Sequence, residues 1–191
     1  MKPLTLILVP LLLLSQLSHS TAQEQKYKVL IAQITGVQQL AKQSRFIQAC
    51  KKQNAENLSL DEIKKRDKEW RYSKFDNIVK QSMSTSAVGA FLKNIISKNN
   101  DKYNEAFLTD AQGANIAAYP LTSDYWQGDE EKFTASFNTG QGQVFIGDIE
   151  FDESTQTNAV QVSVPVNYGE KTIGVLIIGV KVDHIVAEKL K

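Results

Sequence analysis

One cysteine, two histidines and no excess of either charge remove several kinds of function from this 191-residue chain. A lone thiol, Cys50, has no partner for an internal disulfide, even in an oxidising compartment. Arg45, Lys51 and Lys52 around it read as ordinary helix-surface charges, so Cys50 reads as a small buried hydrophobe rather than a reactive thiol. Past residue 22 the only histidine is His184, which leaves zinc without a ligand set. The same His184 would have to serve any Ser–His–Asp triad, and no nucleophile elbow accompanies it; it reads more simply as a helix-end surface residue. Lys and Arg number 22 and Asp and Glu 21. Without a basic excess the chain offers no face for nucleic acid and no long-range attraction to anionic lipid. The string G-Q-G-Q-V-F-I-G from Gly140 leads into a strand pattern, whereas a phosphate loop leads into a helix. Spacing alone does not exclude a glycosidase carboxylate pair, but nothing else suggests a sugar cleft.

Long apolar runs are scarce as well. Leu4 to Leu14 is the longest, short of the roughly 20 residues a membrane span needs. Val175 to Val180 is strand-sized and punctuated by Gly174 and Gly179. Met1 to Ala22 reads as a secretory signal peptide (residues 1–22): Lys2 starts it, the apolar run follows, and Ser20-Thr21-Ala22 supplies small residues at the cleavage spacing. Polar Gln23-Glu24-Gln25 comes next, which favours cleavage over an uncleaved anchor. No Cys lies near the junction, so a lipid anchor is not expected. The expectation is one extracytoplasmic domain, residues 23–191, periplasmic or secreted, with no membrane span in the mature chain.

What is present is a helical first half and a strand-and-turn second half. Leu30, Ile31, Ile34, Val37, Leu40, Ala41 and Ile47 recur at helical spacing, which predicts one long amphipathic helix from Tyr27 to about Gln53. Ser59 opens S-L-D-E, a capping box with Glu62, and a charged helix towards Trp70 in which Glu62 and Arg66 are spaced to pair. Ala87 to Lys98 carries an apolar stripe of Val88, Phe91, Leu92, Ile95 and Ile96. Period two then takes over. Ala106–Thr109 and Asn115–Tyr119 flank the turn D-A-Q-G, Asp129 to Asn138 reads as a short helix, and Val144–Phe151, Val160–Val166 and Thr172–Val182 read as strands. Asp183 is placed to cap a short terminal helix. The fold class is α+β, an antiparallel sheet of about five strands with a long N-terminal helix and short flanking helices.

These words in this order resemble the extracytoplasmic Cache sensor domains, also called PDC domains, which share a PAS-like sheet. The matching words are the strands around T-D-A-Q-G, the helix start Y-W-Q-G-D-E-E-K-F, D-E-S-T-Q leading into V-S-V-P-V, and the closing I-G-V-L-I-I-G-V. The resemblance covers nearly the whole mature chain. It implies a ligand pocket between the sheet and the loops and short helix that cross it. Receptors with such domains sense amino acids, organic acids, amines and other small molecules, and hold the domain between two membrane helices. This sequence shows no second span and no output domain, so the expectation is a free-standing binder that acts through a partner such as a membrane receptor.

Amino-acid-sensing members carry an Arg and an aromatic before the short helix, then a Tyr and an Asp ahead of the sheet turn. The resemblance puts Glu130 at the carboxylate-binding Arg, Lys132-Phe133 at the paired aromatics, Glu150 at the Tyr and Asp152 at the amine-binding Asp. An acid thus stands where the acid partner should be, which points away from ordinary α-amino acids and towards an amine- or cation-bearing metabolite.

The residues themselves leave two readings open. Strict alternation puts Asp148, Glu150 and Asp152 on one strand face and Phe145, Gly147, Ile149 and Phe151 on the other. The plain reading of the acids is a water-facing side; the sharper one is a pocket rim, with Asp152 and Glu150 facing a cation. Tyr125 and Trp126, in the polar loop T-S-D-Y-W-Q-G, are either walls around an ammonium group or plugs at the core's end. Trp70-Arg71-Tyr72 reads as core packing beside a surface ion pair. Asp148, Glu150, Asp152 and Glu153 lack the looping that gathers a calcium ligand set. No cofactor is implied and no enzyme is read. The alternative function is a ligand-free interaction module, a homodimer joined through the stripe Leu30, Ile34, Val37 and Ala41.

Overall fold

The computed structural model describes residues 31–72, 78–152 and 156–183. Helix α1 runs over 31–41 and α2 over Ser44–Ala55. The single long helix expected from the apolar rhythm is therefore broken at Lys42 and Gln43; residues 27–30 lie outside the described residues. Gln43 takes an extended conformation (φ −67°, ψ 135°). Its N–H donates to Leu40 O at 3.0 Å, and its carbonyl accepts from Phe46 N at 3.0 Å. The break lets two helices instead of one bury their stripes in the same core, Val37 and Ala41 from α1 and Phe46 and Cys50 from α2.

Ser59 Oγ accepts from Glu62 N at 3.2 Å, the expected cap of α3 (Leu60–Tyr72). Glu62 and Arg66 pair at 3.5 Å, as their spacing predicts. Helix α4 (Ile78–Thr85) was not legible, because I-V-K-Q-S-M-S-T has only a thin apolar stripe. Ser86 Oγ accepts from Gly89 N at 3.1 Å and caps α5 (Ala87–Lys98), whose predicted bounds match.

The second half contains β1 (Tyr103–Asp110), β2 (Asn115–Tyr119), α6 (Glu131–Phe137), β3 (Phe145–Asp152), β4 (Thr157–Tyr168) and β5 (Lys171–Lys181). Every pairing is antiparallel, in the order β2-β1-β5-β4-β3. The α+β class with five strands is as the sequence predicts. Gly113, at φ +82°, closes the β1–β2 turn; a Cβ there would lie 2.5 Å from Gly128 Cα.

The sheet buries both faces. One face sets Ala106, Leu108, Val162, Val164, Leu176, Ile178 and Val180 against α1, α2 and α5. On the other, Phe107, Ala118, Val175 and Ile177 meet Phe133 of α6. A separate cluster joins Ile63, Trp70, Met83, Ala114 and Tyr125, and Trp70 Nε1 donates to Thr122 O at 3.0 Å. The core role expected for Trp70 and the ion pair expected for Arg71, which is to Asp67, are both present.

Buried Asp110 ties the β1–β2 turn to α2. Its Oδ1 accepts from Gln112 N (2.8 Å) and Ala114 N (2.9 Å), and its Oδ2 from Gln53 Nε2 (2.9 Å). Burial pushes its carboxyl above the ordinary range, outweighing these hydrogen bonds. The folded state therefore keeps this proton to higher pH than the unfolded chain does. Its contribution is fullest below the unfolded value of about 3.9 and is lost as pH rises through the folded value. Asp110→Asn cannot titrate, so the stability advantage of the native chain over this variant should shrink as pH rises through that window. Urea unfolding at stepped pH checks the sign; an advantage that grows with pH would contradict it.

Candidate ligand-binding site

Helix α6 positions the first half of the site. Glu130 precedes it in an extended conformation, and its carbonyl accepts from Phe133 N (3.1 Å) and Thr134 N (2.9 Å). Phe133 is buried and stacks on Phe137 with ring centroids 5.2 Å apart and planes 12° apart. These rings cover the middle of the sheet face, so the opening is displaced to one side of α6, over β3 and β4.

Strand β3 supplies the other half through a bulge. Phe145 stands opposite Ser163 and Ile146 opposite Val162, but then Ile149 is opposite Val160 and Glu150 opposite Ala159. Gly147 and Asp148 together therefore face the single residue Gln161. The inserted residue corrects the strict alternation. Phe145, expected on the side away from the acids, lines the same hollow as Asp148 and Glu150. Ile149 keeps the parity of Ile146 instead of that of Phe145, and both are exposed.

That hollow, about 120 Å³, is lined by Glu130, Glu131, Lys132, Phe145, Gly147, Asp148, Glu150 and Gln161. A second, about 240 Å³, adjoins it and shares Asp148, Glu150 and Gln161, adding Asn104, Glu105, Phe151 and Ala159. Gln161 Nε2 donates to Glu105 Oε1 at 2.7 Å. Glu105 lies so close over Gly179 that a Cβ there would meet its Cγ at 2.8 Å. The Lys132 ammonium sits 5.7 Å from the centroid of the Phe107 ring.

The residues picked from the sequence thus divide. Glu130, Asp148 and Glu150 line one hollow where α6 meets β3, whereas Phe133 is buried in the core between α6 and the sheet. Asp152 closes β3 opposite Thr157, and its side chain, like all of Glu153 and His184, lies outside the described residues. Tyr125 and Trp126 belong with α3. The carboxylate of Asp67 accepts from Tyr125 N (2.9 Å) and Trp126 N (3.1 Å). Tyr125 is 2% exposed and packs on Trp70 at 6.2 Å; burial raises its phenol above the ordinary value. Trp126 Nε1 donates to Gln112 O at 2.8 Å, and its ring lines a different hollow with Lys64, Lys68 and Arg71. Both aromatics pack at the core's end, away from the acids of β3.

Sequence reading passed over Glu105, Gln161 and Lys132 as a group. A signal was available in V-Q-V-S-V: Gln161 and Ser163 make one face of a strand polar, although β4 has neighbours on both sides. A polar face on an interior strand points to something other than bulk water. Cys50 is fully buried, and burial, followed by the charge of Asp110, pushes its thiol up to about 12, so it is no nucleophile at neutral pH. Among the described residues, no group of three or more His, Cys, Asp or Glu is placed to hold a metal ion, and no helix is long and apolar enough to cross a membrane.

Solved structures offer matches to this architecture. The ligand-binding domain of the Pseudomonas aeruginosa PAO1 amino acid chemoreceptor PctC, in complex with GABA, aligns with a TM-score of 0.51 and 14% identity over 92% of this chain and 66% of its own. The Vibrio cholerae histidine kinase DctB sensor domain aligns at 0.49 with 14% identity, over 88% of this chain and 56% of that one. The sensory domain of the Campylobacter jejuni chemoreceptor Tlp3 with isoleucine bound aligns at 0.42 with 16% identity, over 96% and 68%. The chain therefore spans little more than half of the DctB domain. At these identities the likeness is one of fold, and of these three the PctC match carries it. No protein-family model matches the chain, and no curated protein matches it by sequence.

Proposed function

This chain has the fold of the extracytoplasmic Cache (PDC, PAS-like) sensor domains, and we propose that it works as one, binding a small amine- or cation-bearing metabolite beside α6. One observation carries the reading. Glu130, Glu131, Asp148 and Glu150 line one hollow, and among the described residues none of the four is paired with a cation of the chain. Like charges gathered at one rim repel each other unless water or a cation intervenes. A ligand ammonium arriving from solvent removes that repulsion and gains charge-assisted hydrogen bonds. The resemblance agrees, since Glu130 replaces the Arg that would hold a carboxylate and Asp152 keeps the amine-binding place.

We further propose a periplasmic or secreted location, with residues 1–22 as signal peptide and 23–191 as a single sensor domain. The signal then passes through a partner such as a membrane receptor, and no catalytic step is assigned. The helix-mediated homodimer is less well supported. Val37 and Ala41, two residues of its stripe, are spent in the domain's own core.

The test is thermal unfolding of the chain with panels of amines, amino acids and organic acids. Amines should raise the melting temperature, a binder at a hundred times its Kd adding about 2.7 kcal/mol. Glu150→Gln should weaken that effect without lowering the melting temperature of the free protein. Stabilisation by organic acids and not by amines would reverse the proposal.

A further inference from the structure

We propose that the outer edge of β3 is a docking edge, to which another protein adds an extended segment with lysine or arginine alternating with apolar residues. This goes beyond the amine reading and does not rest on it.

The two edges of the sheet differ in how they are finished. Strand β2 is five residues long and covered. Asn115 N donates to Tyr125 O at 2.9 Å, Ala114 bridges Trp126, and α4 and α5 pack along the strand. Strand β3 is eight residues long and, among the described residues, pairs only with β4. Alternate N–H and C=O groups of such an edge point outwards as a template for a further strand, and soluble proteins blunt it with lysine, proline or a bulge. F-I-G-D-I-E-F-D contains no lysine and no proline. Its bulge, at Gly147-Asp148, leaves Ile149 to Asp152 in regular register with β4.

The side chains along this edge are apolar on one face. Ile146 is 39% exposed, and Ile149 and Phe151 are each 55% exposed. They stand opposite Val162, Val160 and Asn158, alternate residues of β4 and therefore one face of the sheet. Val162 lies in the core beneath the helices, but α2 and α5 pack on the other four strands and leave the β3 row at the margin. Neighbouring large apolar groups on an unpaired edge mark an interaction surface.

The opposite face decides what can cover it. Asp148 and Glu150 look towards α6, where Glu130 and Glu131 line the same hollow. An added strand must lay apolar groups beside Ile149 and Phe151 and, at alternate positions, set side chains beside these acids. A second copy of this chain meets the first demand and fails the second. Two β3 strands joined with their apolar rows on one face would set acidic row against acidic row, and like charges on adjacent strands repel. Lysine or arginine at those positions turns the repulsion into cross-strand pairs, while the main chain supplies the ladder.

Fluorescence anisotropy of the full chain with a labelled eight-residue peptide of alternating Lys and Val tests this. The controls are the same residues in a shuffled, non-alternating order and an alternating Glu–Val peptide. The Lys–Val peptide should bind at least about tenfold more tightly than either control and should slow amide exchange along β3. Ile149→Lys, which gives the edge the charge it lacks, should reduce the Lys–Val peptide to the level of the controls, and circular dichroism confirms that this variant folds. Equal binding of the shuffled peptide would mean contact through ammonium groups alone, which overturns the docking edge and leaves the amine-sensing proposal standing. Binding that leaves β3 exchange unchanged, full affinity in Ile149→Lys, a preference for the Glu–Val peptide, or no binding of any peptide each overturns it as well. A native chain that is dimeric by light scattering but monomeric as Ile149→Lys would make the occupant a second copy, and the proposal fails.

Discussion

Asp67→Ala should lower the unfolding free energy by about 2–5 kcal/mol, because it strips the acceptor from two inward-facing backbone N–H groups at about 1–3 kcal/mol each. Asp67 is 6% exposed and reaches from α3 to the N–H groups of Tyr125 and Trp126 while holding Arg71 one turn along its own helix. The loop that carries these aromatics has no ladder of its own beyond the isolated bridge between Ala114 and Trp126. Beside the two backbone hydrogen bonds of that bridge and the bond from Trp126 Nε1 to Gln112 O, this carboxylate and the ring of Trp70 are what hold it to α3. Asp67→Asn keeps one oxygen for the two N–H groups but turns an amide N–H₂ towards Arg71, so a loss of only about 1–2 kcal/mol is expected. Urea midpoints for the two variants give the comparison, and equal losses would show that the Arg71 pair, not the loop, is what Asp67 serves.

Phe133→Ala should cost about 3–5 kcal/mol, the usual range for removing a buried phenyl ring. Phe133 is 5% exposed, stacks on Phe137 and covers Phe107, Val175 and Ile177, so its loss opens the middle of the sheet. The same change should weaken amine binding, since Glu130 and Glu131 approach the hollow only while α6 is seated. Phe133→Leu, which refills most of the volume, should recover much of both. Thermal melts paired with amine titration separate the cases; a destabilised Phe133→Ala that binds at full affinity would detach the site from α6.

Much of this architecture was legible because each stretch repeats a short physical rule. Ser86 before Ala87–Lys98, Ser59 before the charged helix and Gly113 in the first hairpin are local devices whose geometry is set within three or four residues. The break at Gln43 is different. Apolar residues keep helical spacing on both sides of it, so periodicity has no means of showing that two shorter helices share the core. Helix α4 is held by its packing against α5 and β2, not by a stripe of its own. Tyr125 and Trp126 looked like pocket walls because a polar loop surrounds them. Their fate was set by Asp67, 58 and 59 residues away along the chain. Glu105 and Gln161 are 56 residues apart, and only the strand order brings them together.

The doubled residue at Gly147-Asp148 acts as a phase shifter. Upstream of it odd-numbered side chains look towards α6; downstream even-numbered ones do. Deleting Gly147 or Asp148 would restore plain alternation while every other residue keeps its partner on β4, so Glu150 would still stand opposite Ala159 and Ile149 opposite Val160. The bulge thus admits one more residue to the rim of the hollow without turning the following acid away from it.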